Sequence, residues 1–308
     1  MVTKNNTNID FAIDVEFDKI LTNPILDIAA RFWEKDRYEA FQVCYRSMRV
    51  IDDLVDSRKA SGIPITEHEI EYIRKQILNW LESLRNNTPV DSFQKELLKT
   101  INAYKIPIWP WERLAKAMIY DLEHNGFKTF LIFLRYCEGA AIAPASIFMH
   151  LCGVKADKTN VFTDLRKAAR PLAVFSYIVH IIRDFQKDRQ AGLNYFADSI
   201  LSSEGVAPQD LKDVAAGKSI KPEFRSLIGK YHQIGEYYRK MSRANLNNIL
   251  PLLGPQYQLS LEVIYGLYLQ IYERVKPQSG LFNTAELNPS PDEVKTCLNR
   301  IISKFKPL

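Results

Sequence analysis

Two stretches, IDDLVDSRK at residues 51–59 and HIIRDFQKDR at residues 180–189, decide the fold of this chain. Each follows an apolar, helix-forming run without Gly or Pro, and each carries two aspartates four residues apart: Asp52 with Asp56, Asp184 with Asp188. On a helix, that spacing puts both carboxylates of a pair on one face. Adjacent like charges at this spacing repel by about 0.2–0.5 kcal/mol on an open surface. The same repulsive arrangement at two such similar places implies a cation between the acids. Mg²⁺ suits the role, because it takes oxygen ligands, keeps several waters and bridges carboxylates to phosphate groups.

Working outward, the 308 residues read as nearly all helix. Gly is only 12 of them, well under the usual ~7%, and alternating strand patterns are scarce. The net charge of +5 is spread without a dense Lys/Arg block, so nucleic acid is not an expected partner. Cys44, Cys137, Cys152 and Cys297 show no CxxC spacing and read as reduced packing residues, which fits a cytoplasmic protein. The polar start MVTKNNTNID lacks the apolar core of a signal peptide. The longest apolar run, 140–154, contains Pro144 and His150 and is too short to span a bilayer. A soluble chain is the expectation, with contact at a membrane surface left open.

Residues 24–59 read as one helix or two closely joined ones. SGIP at 61–64 breaks the pattern, and Thr66 with Glu69 makes a capping-box start for a helix to about 84. Further helices are expected over 92–104, 112–123, 127–153, 160–190, 223–249 and 256–275, with a short one after NPSPDE. The stretches IPIWPW and 202–222 read as loops. Because the two acid motifs serve one site only across a shared cavity, residues 1–308 are expected to form a single domain.

Tyr45, Arg49, Asp52 and Asp56 form one stripe down a helix face that continues back to Phe41. The bland alternative is a solvated face with an Arg–Asp pair, but a face running from aromatic to acidic suits a cavity wall better. Tyr177, His180 or Ile181, Asp184 and Asp188 repeat the logic, flanked by Arg183 and Lys187. These two cations either balance surface acids or bind phosphate, which guanidinium matches in bidentate fashion. A lone His in an apolar helix is more often a hydrogen-bonded core residue than a ligand, and Mg²⁺ prefers oxygen, so His180 stays open between the two. Gly139, Ala140, Ala141, Ala143 and Ala145 imply either close helix packing or room for a long apolar ligand, with Phe133, Tyr136 and Phe148 as its walls. In the second case Ala141 and Ala145 touch the substrate. Tyr136, Tyr195, Tyr265 and Tyr268 are candidates to shield a carbocation.

The run CYRSMRVIDDLVDSR (44–58) resembles the first aspartate-rich motif of the squalene/phytoene synthase family. IIRDFQKDRQAGLNYF (181–196) resembles the second, and YDLEHNGFKTFLIFLRYCEGAA (120–141) resembles the segment between them. The resemblance covers about 24–275 and implies the all-α isoprenoid-synthase fold, a helical bundle around a central cavity. It implies a prenyltransferase in which Asp52, Asp56, Asp184 and Asp188 hold Mg²⁺ (Mn²⁺ as a substitute) and the metal binds a prenyl diphosphate. Arg49 and Arg183 would meet the diphosphate, with Lys187, Tyr177, His180 and Tyr265 as further substrate contacts. Tyr45 would lie by the reacting carbons, and Tyr136 is placed with Tyr45, Arg49 and Arg183 as catalytic.

The chain departs from the family pattern at three places. NPILDIA (23–29) stands where the family has a basic, hydroxyl-rich motif for a second diphosphate. Tyr177 and His180 replace Gln and Asn, and Leu193 replaces Arg. The expected function is Mg²⁺-dependent ionisation and condensation of farnesyl or geranylgeranyl diphosphate. A one-substrate terpene cyclase is the alternative, and a non-catalytic binding or assembly relative a third reading that the intact aspartates disfavour. NADPH use, chain length and oligomeric state are left open by the sequence. Release of an apolar product suggests peripheral contact with a membrane.

Overall fold

The computed structural model describes residues 20–21, 24–60, 63 and 65–308. The polar N-terminal stretch lies outside the described residues, as does SGIP except for Ile63. Among the described residues there is no β-strand, only two isolated bridges, Phe127 with Ala197 and Val154 with Asn160. Helices do the rest.

The acid motifs sit on two long elements. Helix α1 (Ile25–Ala30) leads into α2 (Lys35–Ala60), which carries Asp52 and Asp56. The Thr66–Glu69 capping box opens α3 (Glu67–Arg85), and the Asp91 side chain caps α4 (Ser92–Tyr104). Helix α5 (Trp109–Glu123) starts three residues before the sequence pattern suggests. Pro110 occupies the first turn, where no N–H is needed, so it opens this helix rather than delaying it.

The apolar stretch after residue 127 is wound in three parts: α6 (Phe130–Cys137), a π-turn (Glu138–Ile142) and α7 (Ala143–Gly153). At Gly139 a Cβ would overlap the Arg113 carbonyl oxygen of α5, so only glycine allows this close approach. By length and composition alone Phe130–Gly153 could cross a membrane. It instead packs within the bundle, against α5 and α8 (Leu165–Arg183).

The long helix expected over 160–190 begins at Leu165, capped by Asp164, and is broken at Asp184, beyond which α9 (Phe185–Gln190) continues. The Asp188 N–H still donates to the Asp184 carbonyl at 2.9 Å, so the two acids keep one turn's separation through the break. The region expected as loop over 202–222 contains the end of α10 (Asp198–Ser203) and all of α11 (Pro208–Ala215). Helices α12 (Pro222–Ile249), α13 (Pro255–Arg274), α14 (Thr284–Leu287) and α15 (Pro291–Lys304) complete the chain.

Helices α2, α7, α8 and α13 pack around a common centre, with α5 behind α2 and α7, and α12 behind α8. Buried polar ties fix the walls. Trp111 Nε1 on α5 donates to Ser47 Oγ on α2 at 2.9 Å, and Trp33 Nε1 donates to Ser260 Oγ of α13 at 2.7 Å. All four cysteines are free thiols in the packed interior.

Candidate active site

The centre of the bundle is hollow. The cavity measures about 620 Å³, within the range of small-molecule sites. Its acid end is lined by Arg49, Asp52 and Asp56 from α2 and by His180, Asp184, Lys187 and Asp188 from α8 and α9. Away from that end the wall is apolar: Leu26, Ala140, Ala141, Ala145, Phe148 and Ile264 are among its residues. The two motifs, far apart in sequence, therefore converge on one space.

The electrostatics agree with that convergence. Burial pushes the Asp52 carboxyl up to about 7, with Asp56 adding to the rise and Arg49 opposing it. Burial likewise lifts Asp188 to about 7, helped by Asp184 and, across the cavity, by Asp56. Asp56 is raised as well, again first by burial. Asp184 is the exception. Burial pushes it up too, but the Arg183 hydrogen bonds, His180 and Lys187 together bring it below the usual carboxylate range. Three of the acids are thus destabilised chiefly by burial, and the fourth is held chiefly by the guanidinium beside it.

This donor set fits Mg²⁺. It is all carboxylate oxygen, and three of its four members end above the ordinary carboxylate value. Among the described residues no three acid, His or Cys side chains converge closely enough to hold an ion alone. An ion that keeps waters and shares a substrate's phosphate oxygens needs no such cage.

Most of the residues singled out in the sequence line the cavity: Tyr45, Arg49, Tyr136, Ala141, Ala145, Tyr177, His180, Lys187 and the four aspartates. Tyr45 extends the aromatic stripe, with Phe41 beside it at 5.6 Å between ring centroids. Two residues are placed differently. Arg183 stands behind Asp184, its Nε and Nη2 donating to the two carboxylate oxygens at 2.6 and 2.8 Å. Tyr265 turns away from the cavity, and its hydroxyl accepts from Arg239 at 3.3 Å. Tyr268, one turn position later, lines the wall instead.

Other contributors escaped sequence reasoning. Arg49 pairs with Asp53 as well as Asp52, a partner signalled by the i, i+4 spacing. Lys59 approaches Asp121, whose carboxyl accepts from Tyr136. Burial raises Asp121 to about 6 against the pull of Lys59. Leu26, Ser57 and Ser176 line the cavity without any pattern that marks them.

The fold and the cavity define a class of all-α proteins with acids and cations at one end of an otherwise apolar central chamber. The squalene/phytoene synthase family model matches residues 27–291, and the chain belongs to that family. In structure the chain is similar to a dehydrosqualene synthase crystallised in complex with ligand, at a TM-score of 0.71 and 18% identity over 96% of each chain. It is also similar to squalene synthase HpnC from Alicyclobacillus acidocaldarius, at a TM-score of 0.58 and 15% identity, covering 80% of this chain and 96% of that one. YisP from Bacillus subtilis matches at a TM-score of 0.53 and 12% identity, covering 86% and 99%. At these identities the likenesses establish the all-α isoprenoid-synthase fold. No curated protein matches the sequence significantly.

Proposed function

We propose that the protein is a Mg²⁺-dependent transferase that ionises a prenyl diphosphate and adds the resulting allylic cation to a double bond of a second prenyl diphosphate, with loss of a proton. Family membership supports a prenyltransferase-type enzyme in general. The observation that carries the finer reading is the meeting of both aspartate pairs, Arg49 and Lys187 at one end of an otherwise apolar cavity.

Asp52 and Asp56 on one wall and Asp184 and Asp188 on the other would hold Mg²⁺, which supplies neutralisation of the leaving group's charge. Arg49 and Lys187 line the same end and add positive charge for the diphosphate oxygens. The allylic C–O bond breaks with its electron pair leaving on the diphosphate. The cation left behind faces Tyr136, Tyr177, Tyr195 and Tyr268, whose ring faces stabilise positive charge while the apolar wall excludes water. Mn²⁺ is expected to substitute. An apolar product of this kind would leave into a membrane surface.

A one-substrate cyclase is the second reading, favoured by Leu26. This residue stands in the cavity wall, and its neighbour Asp27 is buried with its carboxylate accepting from Tyr38 at 2.8 Å. A second diphosphate beside it would meet an aliphatic side chain and an acid. Incubation with Mg²⁺ and farnesyl or geranylgeranyl diphosphate, with and without NADPH, followed by mass spectrometry of the extract, tests both. A condensed hydrocarbon or its diphosphate supports the first reading, a cyclic product the second, and unreacted substrate overturns both.

A further inference from the structure

His180 lies at the acid end of the cavity, one turn before Asp184. Its ring stacks on Tyr177, with centroids 5.9 Å apart and planes within 10° of parallel. Its two nitrogens have different surroundings. Arg183 Nη2 lies 2.8 Å from Nδ1. A guanidinium has only N–H donors and keeps its proton at any ordinary pH, so Nδ1 must be the acceptor of this bond. The ring proton is therefore on Nε2. An imidazolium would set one N–H against another at the same point, so the contact requires the neutral ring.

Arg183 is not free to turn away. Its Nε and Nη2 also grip both oxygens of Asp184, at 2.6 and 2.8 Å, and the guanidinium is largely enclosed. One cation thus orients two neighbours. It points the Asp184 carboxylate and fixes the tautomer of the imidazole beside it, as outer hydrogen bonds commonly do for site histidines. The edge bearing Nδ1 is turned to Arg183, and His180 is among the residues that line the cavity. The side chain keeps 42% of its surface exposed, and Nε2 lies beside the acid end, 3.3 Å from Asp184 Oδ2.

We propose that His180 is a neutral, tautomer-locked Nε2–H donor to a non-bridging oxygen of the bound diphosphate, and that it is not a metal ligand. A nitrogen that carries its proton has no lone pair to give a metal, whereas a diphosphate oxygen beside Asp184 needs a donor. The inference rests on the reading of this cavity as a prenyl diphosphate site. It assigns Arg183 a positioning role through His180 and Asp184.

Two measurements on the full chain test it. Long-range ¹H–¹⁵N correlation of the imidazoles, with the His180 signals assigned by their loss in His180→Gln, is expected to show a proton on Nε2 and none on Nδ1. That pattern should persist when Mg²⁺ and inorganic diphosphate are added. Calorimetry with the same two probes is expected to show at least about tenfold weaker diphosphate binding in His180→Phe, which keeps the stack but loses the donor. His180→Gln, which keeps an N–H, should stay within a few-fold of wild type. A proton on Nδ1, or loss of the Nε2 proton on adding Mg²⁺, overturns the proposal in favour of metal ligation. Equal diphosphate affinity in a folded His180→Phe overturns it alone, while a wild-type protein that binds no diphosphate overturns the parent reading with it. The tautomer measurement needs no variant that folds poorly, because His180 can also be assigned through its contact with Tyr177.

Discussion

The Tyr136 hydroxyl donates to one oxygen of Asp121 at 2.5 Å, and Lys59 Nζ stands 4.0 Å from the other. The carboxyl is buried, and its pKa of about 6 lies above the ~3.9 of an unfolded chain. The folded protein therefore holds a proton that the unfolded chain releases, so this group's contribution to stability falls as pH rises from about 4 through 6. Tyr136→Phe removes a bond that favours the charged form. We expect it to cost about 1–3 kcal/mol, with the deficit against wild type larger at pH 8 than at pH 5. Thermal unfolding at the two pH values checks this; a deficit that shrinks with pH would show that Asp121 is not the titrating group.

Asp52→Asn and Asp184→Asn should both lower turnover by orders of magnitude while leaving the helical circular dichroism intact. Their stabilities should move in opposite directions. Asp52 is raised by burial and by Asp56, so a neutral amide relieves it and raises the melting temperature at pH 8. Asp184 is gripped by Arg183, and Asp184→Asn weakens a charge-assisted pair at a cost of about 1–3 kcal/mol. Near-normal turnover in either variant would remove the metal-site reading.

Chelation with EDTA is expected to abolish activity. Mg²⁺ should restore it, Mn²⁺ should partly replace it, and Zn²⁺ should be a poor substitute for an all-oxygen ligand set. Full turnover after chelation would refute the mechanism.

Ala141→Phe or Ala145→Phe should shorten the accepted prenyl chain, because both residues line the cavity. Gly139→Ala should instead damage folding, since its Cβ would collide with the α5 backbone. Product analysis across substrates of increasing length, with melting temperatures for all three variants, separates wall from packing. An unchanged substrate range in a folded Ala141→Phe would exclude this wall as the chain-length determinant.

Titration calorimetry with a thio-diphosphate analogue and Mg²⁺ should reveal one tight site. Among the described residues the cavity wall offers Arg49 and Lys187 as lysine or arginine partners, both at the acid end, and Leu26 where a second head group would need donors. A second, weaker site fits condensation and a single site fits cyclisation; two equally tight sites would contradict this account of the wall.

Much of this site was legible in the sequence because its signal is periodic. The stripe from Tyr45 to Asp56 needs only the helical repeat to be placed on one wall, and capping at Thr66 follows from local chemistry. Other features depend on what the chain meets in three dimensions. The break at Asp184 has no Gly or Pro to announce it. Helix α11 sits in a stretch rich in turn residues, yet Asp210 receives the Ala207 N–H at 2.9 Å and pairs with Lys221. Tyr265 and Tyr268 are indistinguishable by residue type, and only the packing of α13 decides which one faces inward. Arg183 is adjacent to Asp184 in sequence, and its use as a clamp on that neighbour appears only with side-chain geometry.

The π-turn at Glu138–Ile142 has a consequence for how this cavity can change. It joins the half-helix that carries Tyr136 to the half-helix that carries Ala145 and Phe148, and it sets their angular phase. Each residue of an α-helix advances the face by about 100°. A π-turn takes up one residue more than an α-turn over nearly the same rotation and rise, so deleting Ala140 would restore regular winding and leave the downstream wall near its present phase, whereas a deletion within the regular winding of Ala143–Gly153 would rotate all that follows it by that angle. The chamber's wall is therefore governed by residue count as much as by residue type. A single insertion or deletion in the helix beyond this turn would exchange many wall positions at once, a route to a new cavity shape that point substitutions reach only one side chain at a time, while the turn itself is where the chain absorbs an extra residue.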